Sequence, residues 1–339
     1  MDWTGEARRA GKTTPSPSTA RAPRAANRLR ARARRMPAGA HCLVVLLLAG
    51  MALPARAQAP ADSFGISQRY RTLPGTIEWA SQHWATGGPR VLSGRDAFDP
   101  TNWSQRRGSG TVSINGVGQM QLGGTQPRLY VNPYPDGSDD PTDAEQLFRN
   151  TEVSVYFRRL SSAGADYGGL VIGLRSGPLG HGSAGGDNCD ANTYYARLRN
   201  DGDWDFAKEL HHPDATARSG QAVWQGAALP VGQWIGVRFA ALTRGDGRVS
   251  LELWLDRNSG GAGGGAWELL GTTIDDGGWS SPADGCPYPA NQIIATGGGV
   301  VLLRNTSDTD EGPLSEYRWL SVREVDPNTQ LFGDGFETQ

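Results

Sequence analysis

The segment Trp204-Asp205-Phe206-Ala207-Lys208-Glu209-Leu210-His211-His212 gathers one amine, two imidazoles and two carboxylates within nine residues. Lysine is otherwise scarce: the chain has only Lys12 besides, so 31 of its 33 basic residues are arginine. A compact ammonium that can release its proton is a different chemical tool from a guanidinium that cannot. Lys208 is therefore a candidate base, and the stretch around it is the first candidate site. The competing reading is a leftover surface charge in solvent, the commonest fate of a lysine.

The elements that would position these groups are the two strands of a hairpin. With Asn200-Asp201-Gly202 as a three-residue loop and Gly202 in the left-handed position, Leu198 opposes Trp204, Ala196 opposes Phe206 and Tyr194 opposes Lys208. That face is largely apolar, and Lys208 falls near its end, where its stem can pack and its amine reach the rim. The other face pairs Arg199 with Asp203, Arg197 with Asp205, Tyr195 with Ala207 and Thr193 with Glu209, and continues to His211. A two-residue loop would oppose Leu198 with Asp205 and mix the faces, so the longer loop is preferred. Tyr195, Arg197, Arg199, Glu209 and His211 are the candidate ligand-binding residues, a set suited to hydroxyl-rich or carboxylated ligands. Lys208, His211 and Tyr195 are the candidate catalytic groups. A solvated sheet face with cross-strand Arg–Asp pairs explains the same pattern, each pair contributing at most about 1 kcal/mol.

Period-2 alternation recurs along the chain, and no stretch keeps apolar residues at helical spacing for three turns. Residues 152–157, 169–175 and 249–256 alternate most clearly. Further strands are expected over 109–116, 120–122, 234–242, 267–273, 299–304 and 317–325, with glycine (47) and proline (21) as punctuation between them. About ten strands at this spacing predict an all-β, two-sheet antiparallel jelly-roll sandwich.

Residues 1–57 read as a signal peptide with a long basic n-region. An Arg-rich stretch precedes the apolar run Cys42-Leu43-Val44-Val45-Leu46-Leu47-Leu48-Ala49, and Ala55-Arg56-Ala57 fits a small-residue cleavage site. The run is too short for a permanent membrane span. Residues 58–94 are expected to form an N-terminal extension packing on or pairing with the sandwich, 95–326 the jelly roll and 327–339 a tail. The tail's Leu331-Phe332-Gly333-Asp334-Gly335-Phe336-Glu337 resembles a short signature of exported proteins from some Gram-negative bacteria, which points to a secreted or periplasmic location.

Of the 33 basic and 35 acidic residues, residues 1–57 hold 11 and 2, which leaves 22 against 33 and a charge near −11 after cleavage. Without a Lys/Arg block outside the leader, nucleic acid is disfavoured as a partner. Export also leaves Cys189 and Cys286 as an isolated pair in a compartment that permits disulfides, so a bond between them is expected. With no Cys or His at ligand spacing, zinc is not expected. Asp136, Asp139, Asp140 and Asp143 form a carboxylate-dense loop whose oxygens suit calcium, although exposed Asp/Gly loops are common turns. No other cofactor is required. Gly180-His181-Gly182-Ser183-Ala184-Gly185 lacks the glycine and the strand-to-helix turn of a nucleophile elbow. Trp254, Trp279 and Tyr288 are aromatics that could stack on sugar rings if they face solvent.

With its alternating strands, eleven tryptophans and the elements Gly232-Gln233-Trp234-Ile235-Gly236-Val237-Arg238-Phe239, Leu251-Glu252-Leu253-Trp254-Leu255-Asp256 and Tyr317-Arg318-Trp319-Leu320-Ser321-Val322, the chain resembles the concanavalin A-like lectin/glucanase superfamily over roughly residues 95–325. That resemblance implies two-sheet jelly rolls whose concave face binds glycans, as lectins, glycoside hydrolases or polysaccharide lyases. The glucanases' alternating Glu, Asp, Glu strand has its nearest match in Glu252-Leu253-Trp254-Leu255-Asp256, where Trp254 replaces the middle Asp and Asp256 the final Glu. At about 3.3 Å per residue the outer two Cα atoms lie roughly 13 Å apart, a poor reach for an acid/nucleophile pair. The alginate-lyase strings Arg-(Ser/Thr)-Glu-(Leu/Val)-Arg, Gln-Ile-His and Tyr-Lys-Ala-Gly-x-Tyr are absent. Their chemical types, Arg to neutralise a uronate and Tyr, His or Lys to remove its proton, do occur together on the 192–212 hairpin. Three readings follow: an exported polysaccharide- or oligosaccharide-binding protein, a polysaccharide lyase acting by β-elimination on a uronate polymer, and a structural or adhesive surface protein.

Overall fold

The computed structural model describes residues 60–331 except 77, 134–147, 162–167, 178–187, 221, 225–226, 258–265, 296–299 and 307–314. Its strands form two antiparallel sheets that face each other. The larger contains, from one edge, β15 (Trp267–Asp275), β14 (Val249–Asp256), β13 (Ile235–Thr243), β8 (Thr151–Arg159), β17 (Ser315–Gln330), β6 (Gln119–Gly123), β5 (Thr111–Ile114) and β3 (Arg90–Val91). Two short strands, β1 (Tyr70–Thr72) and β2 (Trp79–Ala80), join it through β17. The smaller sheet runs β12 (Asp214–Ser219), β11 (Trp204–His211), β10 (Thr193–Arg199), β9 (Gly169–Ser176), β16 (Val300–Thr306), β7 (Arg128–Val131) and β4 (Ser104–Arg107). The all-β, two-sheet antiparallel sandwich expected from the alternation is the fold observed.

Alternation explains how the layers meet. Val153, Val155 and Phe157 of β8, Val237 and Phe239 of β13, and Leu251, Leu253 and Leu255 of β14 point into one buried cluster. Leu170, Ile172 and Leu174 of β9, with Tyr194, Ala196, Leu198, Trp204 and Phe206 of the hairpin, enter it from the other sheet. The intervening residues of each strand form the two outer faces, and these are where a ligand can approach.

The hairpin register is the expected one: Tyr194 opposes Lys208, Ala196 opposes Phe206, Arg197 opposes Asp205 and Leu198 opposes Trp204. Gly202 takes φ 90° at the loop, and a Cβ there would sit 2.1 Å from the Ala227 carbonyl oxygen. Only glycine fits that position. Strands β4, β7 and β12, absent from the sequence expectation, are short or carry Arg, Gln, Thr and Ser in place of a clear apolar alternation.

The segment 60–72 lies across the outer face of the larger sheet. Asp62 accepts hydrogen bonds from Ser154 Oγ at 3.1 Å and Ser321 Oγ at 2.9 Å. Arg238 donates to the Ser67 carbonyl. The Tyr70 amide donates to Glu152, whose carboxylate also pairs with Arg323 at 2.6 Å and Arg238 at 3.2 Å. Buried charges on this scale persist only when each has partners, and the segment supplies several of them.

Candidate functional site

Lys208 does not reach the rim. Its side chain is 0% exposed, Nζ lies 2.6 Å from Asp275 Oδ2, and it donates to the Trp279 carbonyl at 2.9 Å. Tyr194, opposite it, donates from its hydroxyl to the same Asp275 oxygen at 2.5 Å and accepts from the Ile294 amide at 3.0 Å. The amine, the phenol and the carboxylate tie the hairpin to β15 across the core. Burial pushes the Lys208 amine down from its usual value while Asp275 holds it up, and burial with Asp275 pushes the Tyr194 phenol well up. The rim position expected for Lys208 is thus corrected: a charge on an otherwise apolar face turned inward to meet one on the opposite sheet.

On the outer face the candidate ligand residues meet each other. Tyr195 is 2% exposed, and its hydroxyl donates to Glu209 Oε2 at 2.6 Å. Glu209 Oε1 is 2.7 Å from His212 Nδ1. Arg197 grips Asp205 through Nε at 2.5 Å and Nη2 at 3.0 Å. Arg199 reaches Asp201 at 2.5 Å, and His211 stands 3.8 Å from Asp214. Tyr195 packs with Tyr130, Val171 and Ala207 in a small second cluster, with the Arg304 guanidinium over its ring. The structure therefore brings Tyr195, Glu209 and His212 together, keeps Arg197 and Arg199 on Asp205 and Asp201, and places Lys208 behind the sheet from all of them. Asp136, Asp139, Asp140 and Asp143 lie outside the described residues.

Cys189 and Cys286 form the expected disulfide. It fastens the 276–295 loop beside the hairpin, where the one Tyr288 hydroxyl proton lies between the carbonyls of Cys189 and Leu210. Tyr288 is thus occupied by backbone, and Trp279 is 2% exposed and packs on Tyr194. The half-buried Trp254 lies under Arg69 and donates to Glu252 at 3.0 Å.

The opposite outer face holds a different arrangement. In β17 the alternation slips between Arg318 and Ser321, and Trp319 takes φ 55°. A non-glycine residue in that conformation costs energy that the surroundings must supply, and bulges of this kind re-aim a side chain out of the ladder. Here Tyr317, Leu320 and Val322 stay in the core while Trp319 turns outward. Tyr156 of β8 lies between two half-buried indoles, 5.3 Å from the Trp319 ring and 6.1 Å from the Trp267 ring, and donates to Asp256 at 2.5 Å. Gly236 makes room for it, since a Cβ would sit 2.9 Å from the phenol ring. The Arg318 guanidinium stacks 4.0 Å from the Trp319 ring and 4.2 Å from the Trp234 ring, and Arg158 covers Trp234 at 4.7 Å. Arg158 pairs with Glu316 at 2.5 Å, and Gln121 donates to the same carboxylate at 3.2 Å. Beside this array a cleft of about 470 Å³ is lined by Phe64, Gln82, Gln119, Arg318 and Trp319 among others. Aromatic surface edged by planar donors and amides matches what polyhydroxylated ligands need: C–H faces stack on rings, hydroxyls bond to the polar groups.

The sequence reading missed Trp319 as a site residue. The signal was present in the run Tyr317-Arg318-Trp319-Leu320-Ser321-Val322, where strict alternation cannot bury Tyr317, Leu320 and Val322 together.

No known protein family matches the sequence, and no curated protein resembles it. The structure is similar to the receptor binding domain of botulinum neurotoxin C/D mosaic serotype, at 10% identity and a TM-score of 0.40, over 70% of this chain and 47% of that one. It is also similar to the botulinum neurotoxin serotype D ligand binding domain solved in complex with N-acetylneuraminic acid, at 9% identity and a TM-score of 0.39, over 72% and 48%. A third similar structure belongs to botulinum neurotoxin type C, whose cell entry is dependent upon interaction with two ganglioside molecules, at 8% identity and a TM-score of 0.36, over 70% and 49%. This chain spans about half the length of each. Among the described residues no helix is long and apolar enough to cross a membrane.

Proposed function

We propose that this is an exported polysaccharide-binding protein of the jelly-roll lectin type, and that it takes its glycan on the outer face of the larger sheet at the Trp319 cleft. The observation that carries this reading is the bulge that turns Trp319 out beside Tyr156, Trp234 and Arg318, next to a cleft of about 470 Å³. The hairpin's outer face serves structure in this reading, because a ligand there would have to displace the Arg197–Asp205 and Tyr195–Glu209 bonds before making its own.

A glycan array probed with wild type, Trp319→Ala and Arg197→Ala tests it. The expected result is binding by wild type and Arg197→Ala, and loss of about tenfold or more in Trp319→Ala, in line with removing a central aromatic anchor. Equal binding by all three variants, or loss only in Arg197→Ala, would remove the Trp319 assignment.

A further inference from the structure

The segment 60–72 divides the outer face of the larger sheet, and beyond it lies a second cleft. Its volume is about 450 Å³, and its lining is mostly polar, with Tyr70, Ser250, Glu252, Thr272 and Asn328 prominent. It shares no lining residue with the Trp319 cleft. Glu252 and Trp319 are separated by three strand spacings and about four residues along β17, roughly 20 Å. The two clefts are distinct sites on one face.

Glu252 lines this second cleft, and its neighbours fix its orientation. Oε1 accepts from the Tyr70 hydroxyl at 2.7 Å and Oε2 from the Trp254 indole at 3.0 Å. Each carboxylate oxygen accepts more than one hydrogen bond, so the group keeps acceptor capacity in a set direction. Thr272, exposed and directly opposite Glu252 on β15, and Ser250, one pair along on β14, add hydroxyls that both donate and accept. At the rim Asp246 pairs with Arg248 and lies 3.8 Å from Arg244, one carboxylate between two guanidiniums. The charged residues of the lining are Glu252, Asp246 and Arg244, two carboxylates against one guanidinium. Such a lining repels anions and offers charge-assisted acceptors to hydroxyl donors.

We infer that the Tyr70–Glu252–Thr272 cleft is a second binding site, for a neutral polyhydroxylated ligand such as an uncharged oligosaccharide. It rests on the sugar-binding reading of this face but on none of the residues of the Trp319 cleft. Segment 60–72 builds part of both, giving Phe64 to one and Tyr70 to the other.

Titration calorimetry with maltohexaose, cellohexaose and xylohexaose, with oligogalacturonate as the anionic control, tests the inference on the whole chain. Thr272→Arg fills the cleft from an exposed position, and Glu252→Gln removes the charge while keeping the size. For at least one neutral hexasaccharide, Trp319→Ala should retain a binding event that weakens about tenfold or more in both cleft variants, whose circular dichroism matches wild type. Oligogalacturonate should not compete with that event in Trp319→Ala. If Trp319→Ala leaves wild-type binding intact and the cleft variants abolish it, this inference stands and the Trp319 reading falls. Binding that Trp319→Ala alone abolishes, or no neutral hexasaccharide bound by any variant, overturns the second site.

Discussion

The two outer faces of the sandwich carry overlapping side-chain types and differ in what satisfies them. On the hairpin face, Arg197, Arg199, Glu209 and Tyr195 sit directly across or beside residues of complementary charge or hydrogen-bonding capacity, and each is engaged within the sheet. On the larger sheet, a bulge and an overlying segment interrupt the regular ladder, and aromatic rings are left beside clefts. Regular pairing covers the hairpin face with closed side-chain pairs, whereas the irregularity turns an aromatic ring out beside a cleft. A list of suitable residue types does not separate the two cases; the register does.

The largest expected effect belongs to the inner side of the same hairpin. Lys208→Met leaves the Asp275 carboxylate in the core without its counter-charge and should cost about 3–5 kcal/mol of unfolding free energy, measured by urea denaturation. A cost under about 1 kcal/mol would mean that the amine is not the tie between the sheets.

A smaller effect comes from pH. Burial raises the Glu324 carboxyl from its ordinary 4.5 to about 7, against the opposing pull of the Asn150 amide and Arg175. The folded state therefore holds this proton more tightly than the unfolded state. Its contribution is greatest below pH 4.5 and declines as pH rises to about 7, beyond which it stays lost. Glu324→Gln should flatten the melting temperature across that window while leaving glycan affinity unchanged. A wild-type profile that keeps its slope in the variant would assign the effect elsewhere.

The smallest effect is on the hairpin's outer face. A double-mutant cycle on Arg197 and Asp205 should give a coupling of about 1 kcal/mol or less, because the arginine is partly exposed and solvent screens the pair. A coupling of several kcal/mol would erase the contrast between the inner and outer sides of this hairpin.

Much of the fold was legible because alternation has a period of two and Gly202 marks the loop. Those features alone specified the hairpin register and most of the long strands. The disulfide was legible from the isolation of Cys189 and Cys286. The partner of Lys208 was not: Asp275 lies 67 residues on and in the other sheet, and no local pattern links them. Trp319 was half-legible, since the slipped alternation of β17 implies a bulge, but which residue would bear the positive φ depends on packing of Trp319 on Tyr156 and of Arg318 on Trp234. The two clefts depend on where residues 60–72 cross the sheet, which tertiary contacts such as Asp62 with Ser154 and Ser321 decide.

The central claim is where the glycan lands. Amide chemical-shift mapping of the isotope-labelled protein, titrated with the best binder from the array, tests it most directly. The predicted shifts centre on Gln119, Arg318 and Trp319, with residues 193–212 unmoved. Shifts confined to 193–212 would place the ligand on the hairpin and contradict the account.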